Sequence, residues 1–250
     1  MAGKQLPIQS NMKEDKISIL TTRPLAHTTM LLGEEAGIKI DTASFIETNN
    51  IINPSTAEKI RNYATRDASV VFTSMNAAEA VIDCLGLDGI VPDWTIYTMG
   101  GTTQTVIKNY FLDSEIIADA NNAAQLANAI IEDEAEEVIF FCGNQRREEL
   151  PNLLKKEEIR VDEVVVYETV ETPIRIDKNY KGILFFSPSA ARSFFSMNNP
   201  GTETVLFAIG TTTAVELRKL CNNKILVGEH PNKEQLAEKA IEYFTTRNED

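Results

Sequence analysis

The sequence predicts an α/β fold: two similar parallel-sheet domains linked by a two-stranded hinge. Short apolar runs rich in β-branched residues alternate with longer amphipathic segments along the chain. Alternating strands and helices imply parallel sheets with helices on both faces. Several motifs of the first half recur, in the same order, in the second. The 250 residues leave room for two small domains.

Each element follows from its pattern. Ile17–Thr22 reads as a strand and Pro24–Ala36 as a helix that stops at Gly37, with Pro24 suited to the first turn. The same strand-then-helix pattern gives Ala68–Thr73 with Ala77–Leu85, and Thr95–Met99 with Thr103–Tyr110. It continues through Glu137–Cys142 with Arg147–Lys155, Gly182–Phe186 with Ser189–Ser196, and Val205–Ile209 with Thr213–Leu220.

The duplication rests on three blocks. FTSMNAA at Phe72–Ala78 is matched by FFSPSAA at Phe185–Ala191, and MGGTT at Met99–Thr103 by IGTTT at Ile209–Thr213. DANNAAQLANAI at Asp119–Ile130 is matched by GEHPNKEQLAEKAI at Gly228–Ile241, with Leu126 over Leu236. The N-terminal Ile17–Gly37 has no second copy at the same spacing before Phe185. The simplest arrangement puts residues 17–41 with 170–250 in one discontinuous domain and makes 47–162 an inserted twin. Residues 42–46 and 163–169 then connect the domains, with an active-site cleft expected between them. Residues 1–16 read as a flexible tail.

In open α/β sheets, ligands bind beyond the carboxyl ends of the strands. The repeated blocks fall there, each following a strand and opening a helix. Free N–H groups at a helix N-terminus attract anions, glycine lets a ligand approach the backbone, and hydroxyls add donors. The candidates for binding are Ser74, Asn76, Gly100, Thr102, Gly143, Ser187, Ser189, Gly210 and Thr212, with Arg23 able to hold a carboxylate. Ser and Thr in these places equally suit helix N-caps. Thr103 and Thr213 lie just inside their helices, where no cap is needed. Tyr167 lies in Val164–Val170, whose alternation places Val165, Tyr167 and Thr169 on one side. Its hydroxyl is either a donor in the cleft or the tip of a half-buried strand aromatic.

The composition narrows the function. With 24 basic and 37 acidic residues the formal charge is −13, which argues against nucleic acid as a partner. Cys84, Cys142 and Cys221 are far apart and form no CxxC pair, and His27 and His230 have no ligand at metal spacing. The polar N-terminus has no apolar signal core, and no apolar run approaches a membrane span, so a cytoplasmic protein is expected. No loop is a GxxxxGK[ST] or a GxGxxG, so a nucleotide-dependent enzyme has little support.

Taken together, the motifs resemble the uroporphyrinogen-III synthase family. They are TTRP at Thr21–Pro24, FTSMNA at Phe72–Ala77, MGGTTQ at Met99–Gln104, CGNQRREELPNLL at Cys142–Leu154, VVVYETV at Val164–Val170, FFSPSAA, AIGTTTA at Ala208–Ala214 and EHPNKEQL at Glu229–Leu236. Cys142 departs from the family, which often has arginine there, and Asn232 stands where threonine is frequent. The resemblance implies a lyase that binds hydroxymethylbilane, a linear tetrapyrrole polycarboxylate, and closes it with loss of water and inversion of the last ring. It also implies no metal or organic cofactor, and a monomer is expected. Tyr167, Thr103 and Thr213 are then the catalytic set, with Tyr167 donating to the departing hydroxyl. The alternatives are a non-catalytic tetrapyrrole-binding relative and a hinged small-molecule binding protein.

Overall fold

The computed structural model describes residues 17–112 and 114–246; the tail expected over residues 1–16 lies outside them. The first elements are β1 (Ser18–Thr21), α1 (His27–Glu35) and β2 (Lys39–Thr42). Next come β3 (Ile46–Asn50), α2 (Pro54–Ala64), β4 (Ala68–Phe72), α3 (Met75–Gly86), β5 (Trp94–Met99), α4 (Thr102–Tyr110) and β6 (Glu115–Ala120). Then follow α5 (Ala123–Glu132), β7 (Glu137–Gly143), α6 (Glu149–Lys156) and β8 (Arg160–Glu171). The chain continues with β9 (Gly182–Phe185), α7 (Pro188–Met197), β10 (Val205–Ala208), α8 (Thr211–Leu220), β11 (Ile225–Val227) and α9 (Lys233–Thr245).

Two compact units result. One takes the described residues up to Ile46 and from Glu171 onward; the other is Glu47–Val170. The discontinuous unit holds a five-stranded sheet in the order β11-β10-β9-β1-β2, with every neighbouring pair parallel. The contiguous unit holds a six-stranded sheet in the order β3-β8-β7-β4-β5-β6, parallel from β8 through β6.

These orders explain why the N-terminal segment lacks a copy upstream of Phe185. Strands β9, β10 and β11 hold the places that β4, β5 and β6 hold in the other sheet. Strands β1 and β2 hold the places of β7 and β8. The counterpart of β1–α1–β2 is thus β7–α6–β8, which closes its unit instead of opening it. The units share one spatial arrangement and differ by a circular shift of chain order.

Both sheets carry helices on both faces, so inner strands such as β7, β9 and β10 are buried almost without interruption, while edge strands such as β2 and β3 are largely exposed. In the contiguous unit, Val70, Phe72, Phe141, Val164 and Val166 pack with α2, α3 and α4 through Ile60, Val81, Leu85 and Ile107. The alternate residues Val71, Tyr97, Val138 and Phe140 pack with α5 and α6 through Leu126, Ile130, Leu150 and Leu154. In the discontinuous unit, Ile19, Leu184 and Phe207 face α1 and α9, while Leu20, Ile183, Phe185 and Leu206 face α7 and α8. Each fully buried Leu, Ile or Phe contributes roughly 1.5–3 kcal/mol, so strand residues that alternate between faces lock the register.

Two helices start later than their patterns predict. Helix α1 begins at His27, not Pro24. Upstream, Thr22 donates both its N–H and its hydroxyl to the Leu184 carbonyl, and the Thr21 hydroxyl donates to the Arg23 carbonyl. The N–H of Ala26 then donates to the carboxylate of Glu234 from α9, at 3.0 Å. That carboxylate also accepts from the Thr29 hydroxyl. A side chain distant in sequence therefore sets the helix start, and Ala26 stays extended at φ −64°, ψ 148°. Helix α6 begins at Glu149, not Arg147; upstream the chain turns through Gly143–Arg146.

Candidate active site

The carboxyl ends of β8, β7, β4 and β5 lie side by side along one edge of the contiguous unit's sheet. Strand order reverses between the parallel neighbours β4 and β7, the type of switch point at which such sheets bind ligands. Tyr167, Gly143, Ser74 with Asn76, and Gly100 with Thr102 and Thr103 stand along this edge. Ser74 is the N-cap residue of α3 in extended conformation, yet its side chain makes no capping bond. At α4 the cap is Gly101 at φ +81°, a conformation open to glycine, and it too offers no side-chain cap. Both helices therefore present first-turn N–H groups that no cap side chain satisfies. Thr103 is buried, and its hydroxyl makes no hydrogen bond with another described residue.

Tyr167 owes its place to a fault in the ladder. Residue Cys142 pairs with Val165, but the next residue, Gly143, pairs with Tyr167, so Val166 is an extra residue in β8. Simple alternation, with Tyr167 sharing the side of Val165 and Thr169, does not hold at this bulge. Tyr167 packs instead on the cluster that contains Val164 and Val166, and Val165 stays exposed. Its ring lies directly over Gly143: a methyl group there would sit 2.4 Å from Cζ. Beyond Gly143 the chain turns through Asn144, Gln145 and Arg146, with the Arg146 N–H donating to the Gly143 carbonyl.

The discontinuous unit has the matching edge. Arg23 follows β1, Ser187 and Ser189 follow β9, and Gly210, Thr212 and Thr213 follow β10. The reversal of strand order falls between the parallel neighbours β1 and β9. Arg23 is exposed. Ser187 caps α7 by accepting the Ala190 N–H at 3.1 Å, so here the capping alternative applies. Its oxygen also lies 3.1 Å from that of the buried Ser189. Helix α8 begins at Gly210 without a side-chain cap, and Gly210 is extended, unlike Gly101. Thr213 is buried within the first turn, and its hydroxyl also makes no hydrogen bond with another described residue.

Residues 28–238 match the family model described as uroporphyrinogen-III synthase HemD. The chain belongs to the uroporphyrinogen-III synthase family. The uroporphyrinogen-III synthase of Saccharomyces cerevisiae is 31% identical over 45% of this chain and 46% of its own length. That of Schizosaccharomyces pombe is 23% identical over 74% of this chain and 80% of its own. The chain thus spans just under half of the first relative and four-fifths of the second. In fold it is similar to uroporphyrinogen III synthase from Thermus thermophilus, in a mutant form (TM-score 0.65, 14% identity, 94% of this chain and all of that one). The uroporphyrinogen-III synthetase of Helicobacter pylori gives a TM-score of 0.63 at 16% identity, over 91% of this chain and 99% of that one.

Within this family the chain's departures have a physical meaning. Cys142, where arginine is common, is a core residue: it lies on β7 and faces the α5–α6 layer, and burial, with Glu163 nearby, raises its thiol to about 11. It offers the edge no contact. Arg146 is held by Glu163 and by Glu148 at 2.8 Å, so its charge is already matched. Asn232 does what a threonine there would do: it caps α9, accepting from the Glu234 and Gln235 N–H groups. Sequence alone places Asn144 beside Gly143 at a strand end but gives neither it nor Gln145 a role. Both reach from the turn after Gly143 to β8. No helix among the described residues is long and apolar enough to cross a membrane.

Proposed function

We propose that this chain converts hydroxymethylbilane to uroporphyrinogen III, releasing water and inverting the last pyrrole ring. Family membership over residues 28–238 carries the reading. The uncapped helix starts at Ser74, Gly101 and Gly210 support it. The substrate bears acetate and propionate groups, and first-turn N–H groups suit carboxylates.

Loss of the terminal hydroxyl leaves an azafulvene, a reactive electrophile. Left alone, the chain closes head to tail to the uninverted isomer. The protein's task is to direct attack to the substituted carbon of the last ring, through a spiro intermediate. Holding one geometry is the main source of selectivity. On this reading the edge of each unit supplies donors for substrate carboxylates. Ser74, Asn76, Gly100, Thr102 and Gly143 belong to one set; Arg23, Ser187, Ser189, Gly210 and Thr212 belong to the other. Thr103 and Thr213 position the reacting rings. The Tyr167 phenol donates a proton or hydrogen bond to the departing hydroxyl. The protein works as a cytoplasmic monomer, without metal, organic cofactor or nucleic acid.

The deciding experiment supplies freshly prepared hydroxymethylbilane to the full chain and separates the product isomers. Predominant type III isomer is expected. Type I alone would falsify the catalytic reading, and tight binding of the substrate in that case would favour a non-catalytic tetrapyrrole-binding protein.

A further inference from the structure

The turn Gly143–Arg146 makes an unusual number of connections to the three residues Tyr167–Thr169. The Asn144 N–H donates to the Tyr167 carbonyl at 3.1 Å. The Asn144 side-chain oxygen accepts the Thr169 N–H at 2.9 Å. The Gln145 amide donates to the Thr169 carbonyl at 3.0 Å. Strand β7 has ended at Gly143, so β8 would otherwise lack a backbone partner on this side. Two side chains continue the ladder and satisfy both polar groups of Thr169. The bulge at Val166 turns Tyr167 toward Gly143, and the absence of a Cβ on Gly143 gives its ring a place to lie.

From this geometry we infer that Asn144 is a positioning residue for Tyr167, and that Gly143, beside its place in the binding set, serves as the seat of the tyrosine ring. The inference rests on the role proposed for Tyr167 and adds the parts that aim its hydroxyl. An ordinary turn asparagine bonds to its own turn. This one spans 25 positions to fix the backbone on the far side of Glu168. A phenol pivoting on an unrestrained strand would sweep its hydroxyl through a wide arc. Pinning residues 167 and 169 while closing one face of the ring removes that freedom.

The test uses the full chain with hydroxymethylbilane and, separately, the ring resonances of Tyr167, assigned by their loss in Tyr167→Phe. Asn144 is exposed, so Asn144→Ala should fold normally. It should lower kcat on the order of tenfold with little change in KM and shift the Tyr167 resonances. Asn144→Asp keeps an acceptor for the Thr169 N–H and should restore both. In a Tyr167→Phe background, Asn144→Ala should add little. Gly143→Ala should lower the melting temperature, and Tyr167→Ala should relieve that loss. Unchanged ring resonances in Asn144→Ala, or an undiminished loss of rate on top of Tyr167→Phe, would overturn the inference. Full activity of Tyr167→Phe with shifted resonances in Asn144→Ala would instead remove the acid role and leave the positioning intact.

Discussion

Hydroxyls near the two sheet edges differ in what the fold asks of them. Ser187 is committed to the Ala190 N–H, so Ser187→Ala should cost about 1 kcal/mol of stability, measurable by denaturant unfolding. Thr103 and Thr213 carry no such duty. Thr213→Ala should lower kcat/KM severalfold while the unfolding midpoint changes little; an unfolding loss with unchanged kinetics would make it structural. Tyr167→Phe should reduce kcat by about a hundredfold, the lower range for a missing proton donor, with the secondary structure retained in circular dichroism. At this scale the sequence was partly readable. Tyr167, Thr103 and Thr213 stand out because a polar residue inside a strand or first helical turn lacks an obvious local duty. Asn144 does not, since Gly-Asn after a strand reads as a turn, and its true partner is distant along the chain.

The inner strands and most helices were legible, because short β-branched apolar runs and helix-opening Gly, Ser and Thr follow from local chemistry; the edge strands β2, β3, β6 and β11, less buried, were not. The start of α1 was not. Its position is set by Glu234, and no window around Pro24 contains that residue. Glu234→Ala should therefore destabilise the chain by roughly 2 kcal/mol, as expected for hydrogen bonds to a charged acceptor, with Glu234→Gln less harmful. Another local cluster has a pH signature. Burial alone would raise the Asp41 carboxyl on β2. Hydrogen bonds from Lys178 and Tyr180, with the lysine charge, outweigh burial and hold it below 3.8. A depressed carboxyl stabilises the fold above its unfolded value and loses that contribution as pH falls through the folded one. Unfolding free energy should thus drop on acidification below about pH 4, and less steeply in Asp41→Asn. Tyr180 behaves oppositely: burial and Asp41 push it up to about 12, so its contribution is present below pH 10 and fades as pH rises toward 12.

Across the whole molecule, charge and connectivity matter most. A protein of net charge −13 repels a polycarboxylate before any specific contact forms. Raising ionic strength from about 0.01 M to about 0.15 M shortens the screening length from roughly 30 Å to roughly 8 Å. KM for hydroxymethylbilane should fall over that range; a rise would mean that exposed cations, Arg23 among them, dominate binding. The circular shift between the two sheets was hidden from the sequence, because matching blocks align only where chain order is preserved. It has a consequence for biosynthesis. The first strand and helix leave the ribosome early, yet their neighbour β9 and their tether Glu234 are translated only after the whole of Glu47–Val170. The insert can thus mature on the nascent chain while the opening segment waits, unclosed, for the last helix to arrive.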